Sequence, residues 1–368
     1  MAEPKESFTP PDKNSPSISS ITGIEASVNS NHPKGYGAEG CNADRPWQKA
    51  LRDSIRSSRT LYERLQLPLS TIEATMDGHP EFPILVPASY LARIKPQDPD
   101  DPLLLQVMAQ LREREPVHGY TEDPLEERQF TATGLIRKYP GRALMVTTAA
   151  CPIHCRYCFR RHFPYGDNLA TRSNWEDSLR TLRDDPSIKE LILSGGDPLS
   201  LSTKKLAELI QKLESISALE TLRIHTRFPI AIPERVTDEL LDLLRSTRFN
   251  TVVVIHCNHP NELDDAQVQS ALRSLANAVN FVLNQSVLLR GVNDDASTLS
   301  LLSTRLCAAG VLPYYLHLLD RVSGSAHFEV TENTARKIVG QLRQQLPGYL
   351  VPKLVFEQSG ELSKTPIN

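Results

Sequence analysis

From Gly141 onward the chain repeats one pattern six times, a short apolar run followed by an amphipathic helical stretch. The runs are ALMVTT (143–148), ELILSG (190–195), TLRIHT (221–226), TVVVIH (251–256), FVLNQSVLL (281–289) and LPYYLHLL (312–319). Most are nearly continuous in apolar side chains, as strands covered on both faces must be. Helical periodicity follows them over 175–184, 203–215, 238–244, 264–278, 296–309 and 331–344. Strands and helices in alternation leave few topologies, because parallel neighbours need crossover helices and the crossovers are right-handed. The pattern predicts an α/β fold, a partial (β/α)6 barrel of the TIM type or its complete form. Such barrels carry their chemistry at the C-terminal ends of the strands.

The rest of the chain is organised around that barrel. Residues 1–45 are rich in Ser, Pro, Asn and Gly and read as a disordered tail. Residues 46–140 read as a small helical subdomain. One helix is expected over 47–67, where Pro68 stops the run, and another over 102–114. The barrel spans 141–320, and 321–368 is a C-terminal segment. With 41 basic and 44 acidic residues the net charge is −3, which gives no reason to expect nonspecific binding to nucleic acid or an anionic membrane. No apolar run approaches the roughly 18–20 residues that span a bilayer. The N-terminus lacks the apolar stretch of a secretory signal, so the expected compartment is the cytoplasm.

Six cysteines are present, and three of them, Cys151, Cys155 and Cys158, fall within eight residues directly after the first strand. In a long chain with reduced thiols such a cluster points to a metal rather than to disulfides. Three thiolates can hold three irons of a cubane cluster and leave the fourth iron open to a ligand. The alternative is a structural zinc completed by His154 or His162. Cys41, Cys257 and Cys307 read as a tail thiol and two apolar-like side chains.

CxxxCxxC with Tyr157 before the last cysteine resembles the radical S-adenosylmethionine superfamily. The resemblance implies a [4Fe–4S] cluster on Cys151, Cys155 and Cys158, S-adenosylmethionine on the open iron, and its cleavage to a 5′-deoxyadenosyl radical. SGGDPLS (194–200) resembles the glycine-rich segment that meets the S-adenosylmethionine amino group. It implies cofactor-binding roles for Ser194, Gly195, Gly196 and Asp197, beside Tyr157. Glycines allow a close backbone approach, and a carboxylate can pair with an ammonium.

CRYCFRRHFPYG, RIHTRFPIAIPERVT, HCNHPNE, QSVLLRGVNDD and LPYYLHLLD, taken in order, resemble the lysine 2,3-aminomutase family over roughly residues 80–364. That resemblance implies pyridoxal 5′-phosphate as a further cofactor, carried by Lys364, with Glu357 seven positions before it. It also implies Arg160 on the α-carboxylate of lysine, Asp294 and Glu357 on its distant ammonium, and Lys138, Tyr139 and Arg227 on the cofactor phosphate. Three departures stand out. The family's acid before the lysine is usually Asp, Lys138 stands where Arg is common, and Leu319 stands where the longer enzymes supply a zinc cysteine.

The shorter branch of the family makes (R)-β-lysine from (S)-α-lysine, which a separate ligase attaches to elongation factor P. Resemblance to that branch implies lysine as substrate, an electron donor of the flavodoxin or ferredoxin type, and a functional link to elongation factor P and its lysyl ligase. The competing readings are a lysine 2,3-aminomutase of free lysine metabolism, an activating enzyme that makes a glycyl radical, and a zinc-stabilised interaction module.

Overall fold

The apolar runs become strands and the periodic stretches between them become helices. In the computed structural model the residues described are 45–68, 82–132, 134–170 and 175–368. The tail expected to be disordered, with Cys41, lies outside the described residues, apart from Arg45. A short antiparallel lead-in, β1 (Thr131–Ala132) and β2 (Leu135–Ile136), delivers the chain to the first barrel strand, β3 (Arg142–Thr148). Parallel pairing then runs in sequence order through β4 (Glu190–Gly195), β5 (Thr221–Thr226), β6 (Asn250–Ile255), β7 (Phe281–Val287) and β8 (Leu312–His317).

A seventh parallel strand, β9 (Lys353–Phe356), pairs with β8, and a last antiparallel piece, β10 (Thr365–Pro366), pairs with β9. Residues 321–356 therefore extend the barrel by one more helix and strand, beyond the boundary at 320 expected from the sequence. The sheet runs from β1 to β10 in order, and no pairing closes β10 onto β1 among the described residues, so the barrel is partial.

Two of the N-terminal helices are α1 (Pro46–Arg52) and α2 (Ser58–Leu65). The crossovers are α3 (Trp175–Asp184), α4 (Thr203–Glu214), α5 (Asp238–Ser246), α6 (Ala266–Ala276), α7 (Ala296–Ala308) and α8 (Glu332–Gln345). Ser202, Thr237, Asp265, Asp295 and Thr331 cap the last five, each accepting from a backbone N–H of the first turn. Their apolar stripes face the sheet. On α4, Leu206, Leu209, Ile210 and Leu213 are all buried, each such side chain being worth roughly 1.5–3 kcal/mol.

The N-terminal helices are shorter than the periodicity predicts. The stretch 47–67 divides at Asp53–Ser57. There Ser54 Oγ bonds back to the Ala50 carbonyl, Ile55 pairs with Val86 in an isolated bridge, and Ser57 caps a new helix. Side-chain bonds to nearby backbone compete with helix continuation in this way. The stretch 102–114 gives a single turn at Pro102–Leu105 and a 3-10 turn at Leu111–Arg114. Between them Gln106 is fully buried and its carbonyl accepts from Arg156 N at 2.8 Å. Among the described residues no helix is long and apolar enough to cross a membrane.

Candidate active site

The C-terminal ends of the strands open into one cavity. It is lined by Cys151, Cys155 and Cys158, by Ser194–Asp197, by Arg160 and Arg227, and by Lys138, Tyr139, Glu357 and Lys364. Thus the structure brings together every site residue expected from the sequence except Asp294.

The loop that carries the cysteines is held from two sides. On the barrel side, Gly196 N donates to the Thr148 carbonyl at 2.6 Å and Asp197 N to the Ala150 carbonyl at 2.8 Å. A side chain at Gly196 would place its Cβ 2.4 Å from the Ala150 oxygen, and Gly195 has φ +114° with no room for one either. The glycine pair therefore lets β4 meet the segment leading into Cys151, a requirement of the protein itself that the sequence reading assigned to a ligand. On the other side Arg156, inside the cysteine motif, donates to Glu113 Oε1 at 2.9 Å and Oε2 at 2.5 Å, and Arg161 donates to Glu113 Oε2 at 2.7 Å. Arg156 also donates to the Phe82 carbonyl, and His154 N to that of Leu85.

Asp197 is committed to this framework. Its carboxylate accepts from Leu199 N, from Thr226 Oγ1 and, at 2.6 Å, from Arg227 N. Burial pushes its carboxyl up to about 6, against those hydrogen bonds. It organises the strand ends while also lining the cavity.

The three cysteines line the cavity, whereas His154 and His162 do not. His154 Nδ1 meets the Pro83 carbonyl at 2.7 Å and its ring stacks on Phe82, while His162 Nε2 meets the Ser323 carbonyl at 3.3 Å. Among the described residues no three His, Cys, Asp or Glu side chains form a compact single-ion site. Three thiolates on one short loop, without an imidazole beside them, suit a cubane that spreads its ligands over separate irons.

Arg227 sits on the cysteine side of the cavity, which corrects its expected place at a phosphate. It is buried, and Nη1 donates to Cys155 Sγ at 2.6 Å and to the Tyr157 hydroxyl. Its Nη2 donates to Gln106 Oε1 at 2.9 Å and pairs with Glu262 at 3.0 Å. Tyr157 is buried with it, its hydroxyl also accepting from Asn258 Nδ2 at 2.7 Å.

The far side of the cavity is a chain of charges. Glu357, just past β9, accepts from Lys364 Nζ at 2.6 Å and from Lys138 Nζ at 2.7 Å. Lys364 and Lys138 hold its carboxyl well below the usual range, against the burial that raises it. Arg160 grips Glu127 through two bonds, 2.7 and 2.9 Å, and donates from Nη1 to Ser194 Oγ at 3.1 Å. Tyr139 faces Glu357, and burial followed by that carboxylate raises its phenol well above the ordinary value. The Arg142 guanidinium lies 5.0 Å from the Tyr139 ring centre.

Asp294 stands apart. Its Oδ1 accepts from Gly291 N at 3.0 Å in the turn after β7, and it does not line the cavity. Asn293 takes the inward position instead, donating to the carbonyls of Asn258 and Val287. Another acid in the cavity, beside Glu127, Asp197 and Glu357, is Asp320, three residues past the end of β8. Burial, then Glu357, pushes its carboxyl up to about 7, while Lys364 and Lys138 oppose the rise. Its position in LPYYLHLLD, at the end of a barrel strand, was the signal that could have found it. Glu127 and Arg142 also went unnoticed, since neither lies at such an end.

Known proteins resemble this chain over most of its length. The family model described as the Radical SAM superfamily matches residues 145–301. An L-lysine 2,3-aminomutase of Haemophilus influenzae is 44% identical over 321 residues, 87% of this chain and 94% of that protein. One of Escherichia coli is 45% identical, covering 88% and 94%, and one of Clostridium subterminale is 32% identical, covering 87% and 77%. The donor set of the cysteine loop, its place after the first parallel strand and this similarity along most of the chain agree, and the chain belongs to the lysine 2,3-aminomutase family of radical S-adenosylmethionine isomerases.

Proposed function

We propose that this protein moves the α-amino group of (S)-lysine to C3, giving (R)-β-lysine, with a [4Fe–4S] cluster, S-adenosylmethionine and pyridoxal 5′-phosphate. The carrying observation is a single cavity lined by three cysteine thiols together with Lys138, Lys364, Arg160 and the carboxylates of Glu127, Asp320 and Glu357. When bound, the cofactors supply hydrogen-atom abstraction and an electron sink, and the chain supplies position and enclosure.

In this reading Cys151, Cys155 and Cys158 hold the cluster. Ser194, Gly195, Gly196, Asp197 and Tyr157 form the wall beside S-adenosylmethionine, most of them through backbone and packing. Lys364 would hold pyridoxal phosphate covalently. Lys138 and Tyr139 keep their expected place at its phosphate, and Arg142 takes the part first given to Arg227. Arg160, whose planar fork holds Glu127 here, would offer its remaining guanidinium N–H groups to the substrate carboxylate. Asp320 and Glu357 receive the distant ammonium, which needs close anions because burial of an unpaired charge costs several kcal/mol. Asp320 thus takes the part first given to Asp294.

The destination we propose for the product is a lysine of elongation factor P, through a separate ligase, in the cytoplasm. Leu319, standing where the longer enzymes of the family supply a zinc cysteine, supports it. The reductant would be a flavodoxin or ferredoxin. An anaerobic assay with (S)-lysine, both small cofactors and a reductant, read out by chiral chromatography, tests the reaction. Formation of (R)-β-lysine is expected, and lysine recovered unchanged by a protein carrying a full cluster sinks the proposal. Mass spectrometry of elongation factor P from cells with and without the gene tests the destination. Borohydride treatment of the loaded protein should fix the cofactor to Lys364 on peptide mapping, and labelling of another lysine would displace that residue from its role.

A further inference from the structure

We infer that Arg227 sets the reduction potential of the cluster, acting as a buried hydrogen-bond donor and counter-cation on the Cys155 sulfur, with Glu262 as the opposing charge that limits its effect. The inference rests on the reading that Cys151, Cys155 and Cys158 hold the iron.

The geometry is specific. Arg227 is the first residue after β5, and Asp197 fixes its backbone by accepting from Arg227 N at 2.6 Å. Nη1 is directed at Cys155 Sγ and at the Tyr157 hydroxyl. Nη2 is taken by Glu262 Oε2 at 3.0 Å and Gln106 Oε1 at 2.9 Å. Among the described residues none accepts from the buried Nε–H. Glu262 is itself fully buried and anchored on its far oxygen by Asn258 N, His259 N and Gln106 Nε2. The guanidinium is therefore fixed between a ligand sulfur on one edge and a carboxylate on the other.

The electron balance gives this arrangement a consequence. Reduction adds one electron from an external low-potential donor and breaks no bond, so the cluster with its three thiolates gains one negative charge. A cation and hydrogen bond at a ligand sulfur stabilise the more negative state, and a buried anion opposes it. Hydrogen bonds to sulfur and local net charge are the levers by which proteins move such potentials. Low local dielectric strengthens both effects.

Dye-mediated redox titration followed by electron paramagnetic resonance tests the idea, with iron and sulfide measured on every sample. The paired variant R227M/E262Q removes both charges together, so that no buried ion is left alone. We expect full iron and a reduced fraction about tenfold lower at a given poise, equivalent to about 59 mV for a one-electron couple. E262Q alone should move the reduced fraction in the opposite direction, because the guanidinium is then unopposed, while R227K should fall between wild type and the paired variant. A purely structural role would not produce shifts of opposite sign. An unchanged potential in the iron-loaded paired variant overturns the inference, as does an unchanged or lowered reduced fraction in E262Q. Should the paired variant fail to hold iron, E262Q and R227K, which retain the cation, decide the matter. An unchanged potential with weakened pyridoxal phosphate or S-adenosylmethionine binding returns Arg227 to a ligand-holding role. A wild type that binds no four-iron cluster defeats the underlying reading instead.

Discussion

Asn293 and Asp294 are adjacent and face opposite ways, and on the proposed function this leaves Asp320 rather than Asp294 to meet the substrate. Asn293 is fully buried and ties the turn after β7 to the Asn258 and Val287 carbonyls, so the next side chain turns back to cap Gly291. A short motif such as GVND shows that an acid is present but not which way it points. Asp320, in contrast, lies three residues past β8 and lines the cavity with Glu357. Asp320→Asn should raise the lysine KM with a loss of roughly 2–4 kcal/mol in kcat/KM, the scale of a buried charge left unpaired. Asp294→Ala should leave the kinetics with lysine near wild type. The two assignments exchange places if the reverse is measured. The pH profile gives a second check. Burial and Glu357 raise the Asp320 carboxyl to about 7, so it is protonated below that pH and cannot attract an ammonium. The value of kcat/KM reports groups of the free enzyme, so it should rise through about pH 7 in the wild type. That limb should vanish in Asp320→Asn.

At the scale of elements, the strands and crossover helices were legible because each is a local pattern with one solution. The run ELILSG forms β4 as Glu190–Gly195, and the periodic stretch 175–184 forms α3 as Trp175–Asp184. Three features were not legible, and in each a distant partner decides. The helix over 102–114 fails because Gln106 is drawn inward by Arg156, Arg227 and Glu262. The strand β9 escaped notice because KLVF is only four residues long and is defined by its pairing with β8. The glycines of SGGDPLS read as a ligand contact, whereas Gly196 is required by the approach of the Ala149–Ala150 backbone. Gly196→Ala puts its Cβ 2.4 Å from the Ala150 oxygen, and backbone on both sides leaves little freedom to relax. The expected result is iron per chain well below the wild type after anaerobic reconstitution, with the far-ultraviolet circular dichroism unchanged. Full iron loading in Gly196→Ala would show that the segment before Cys151 can shift without disturbing the cysteines.

Across the whole molecule, the cysteine loop is a keystone between the barrel and the segments that precede it. Glu113, in the 3-10 turn Leu111–Arg114, meets Arg156 and Arg161 from the loop, and all three are almost completely buried. Arg156 and Arg161 hold the Glu113 carboxyl below its ordinary value although burial raises it. The triad thus links 48 positions of sequence through charges that water does not reach. Removing one partner leaves an uncompensated charge, which is destabilising by roughly 3–5 kcal/mol. Glu113→Ala should therefore lower the unfolding temperature. Because both guanidiniums belong to the segment 151–161, it should also speed the loss of iron to a chelator. These two effects separate in a triple variant, since replacing a buried ion triad by packed apolar residues of similar volume often restores stability. Glu113→Leu with Arg156→Met and Arg161→Met should recover much of the unfolding temperature measured on the iron-free protein. Its iron should remain labile, because apolar contacts do not reproduce the directed bonds from Arg156 to Glu113 and to the Phe82 carbonyl that fix the loop between Cys155 and Cys158. Iron retention equal to wild type in that variant would mean that packing alone shapes the loop, and that the three buried charges serve stability rather than the cluster.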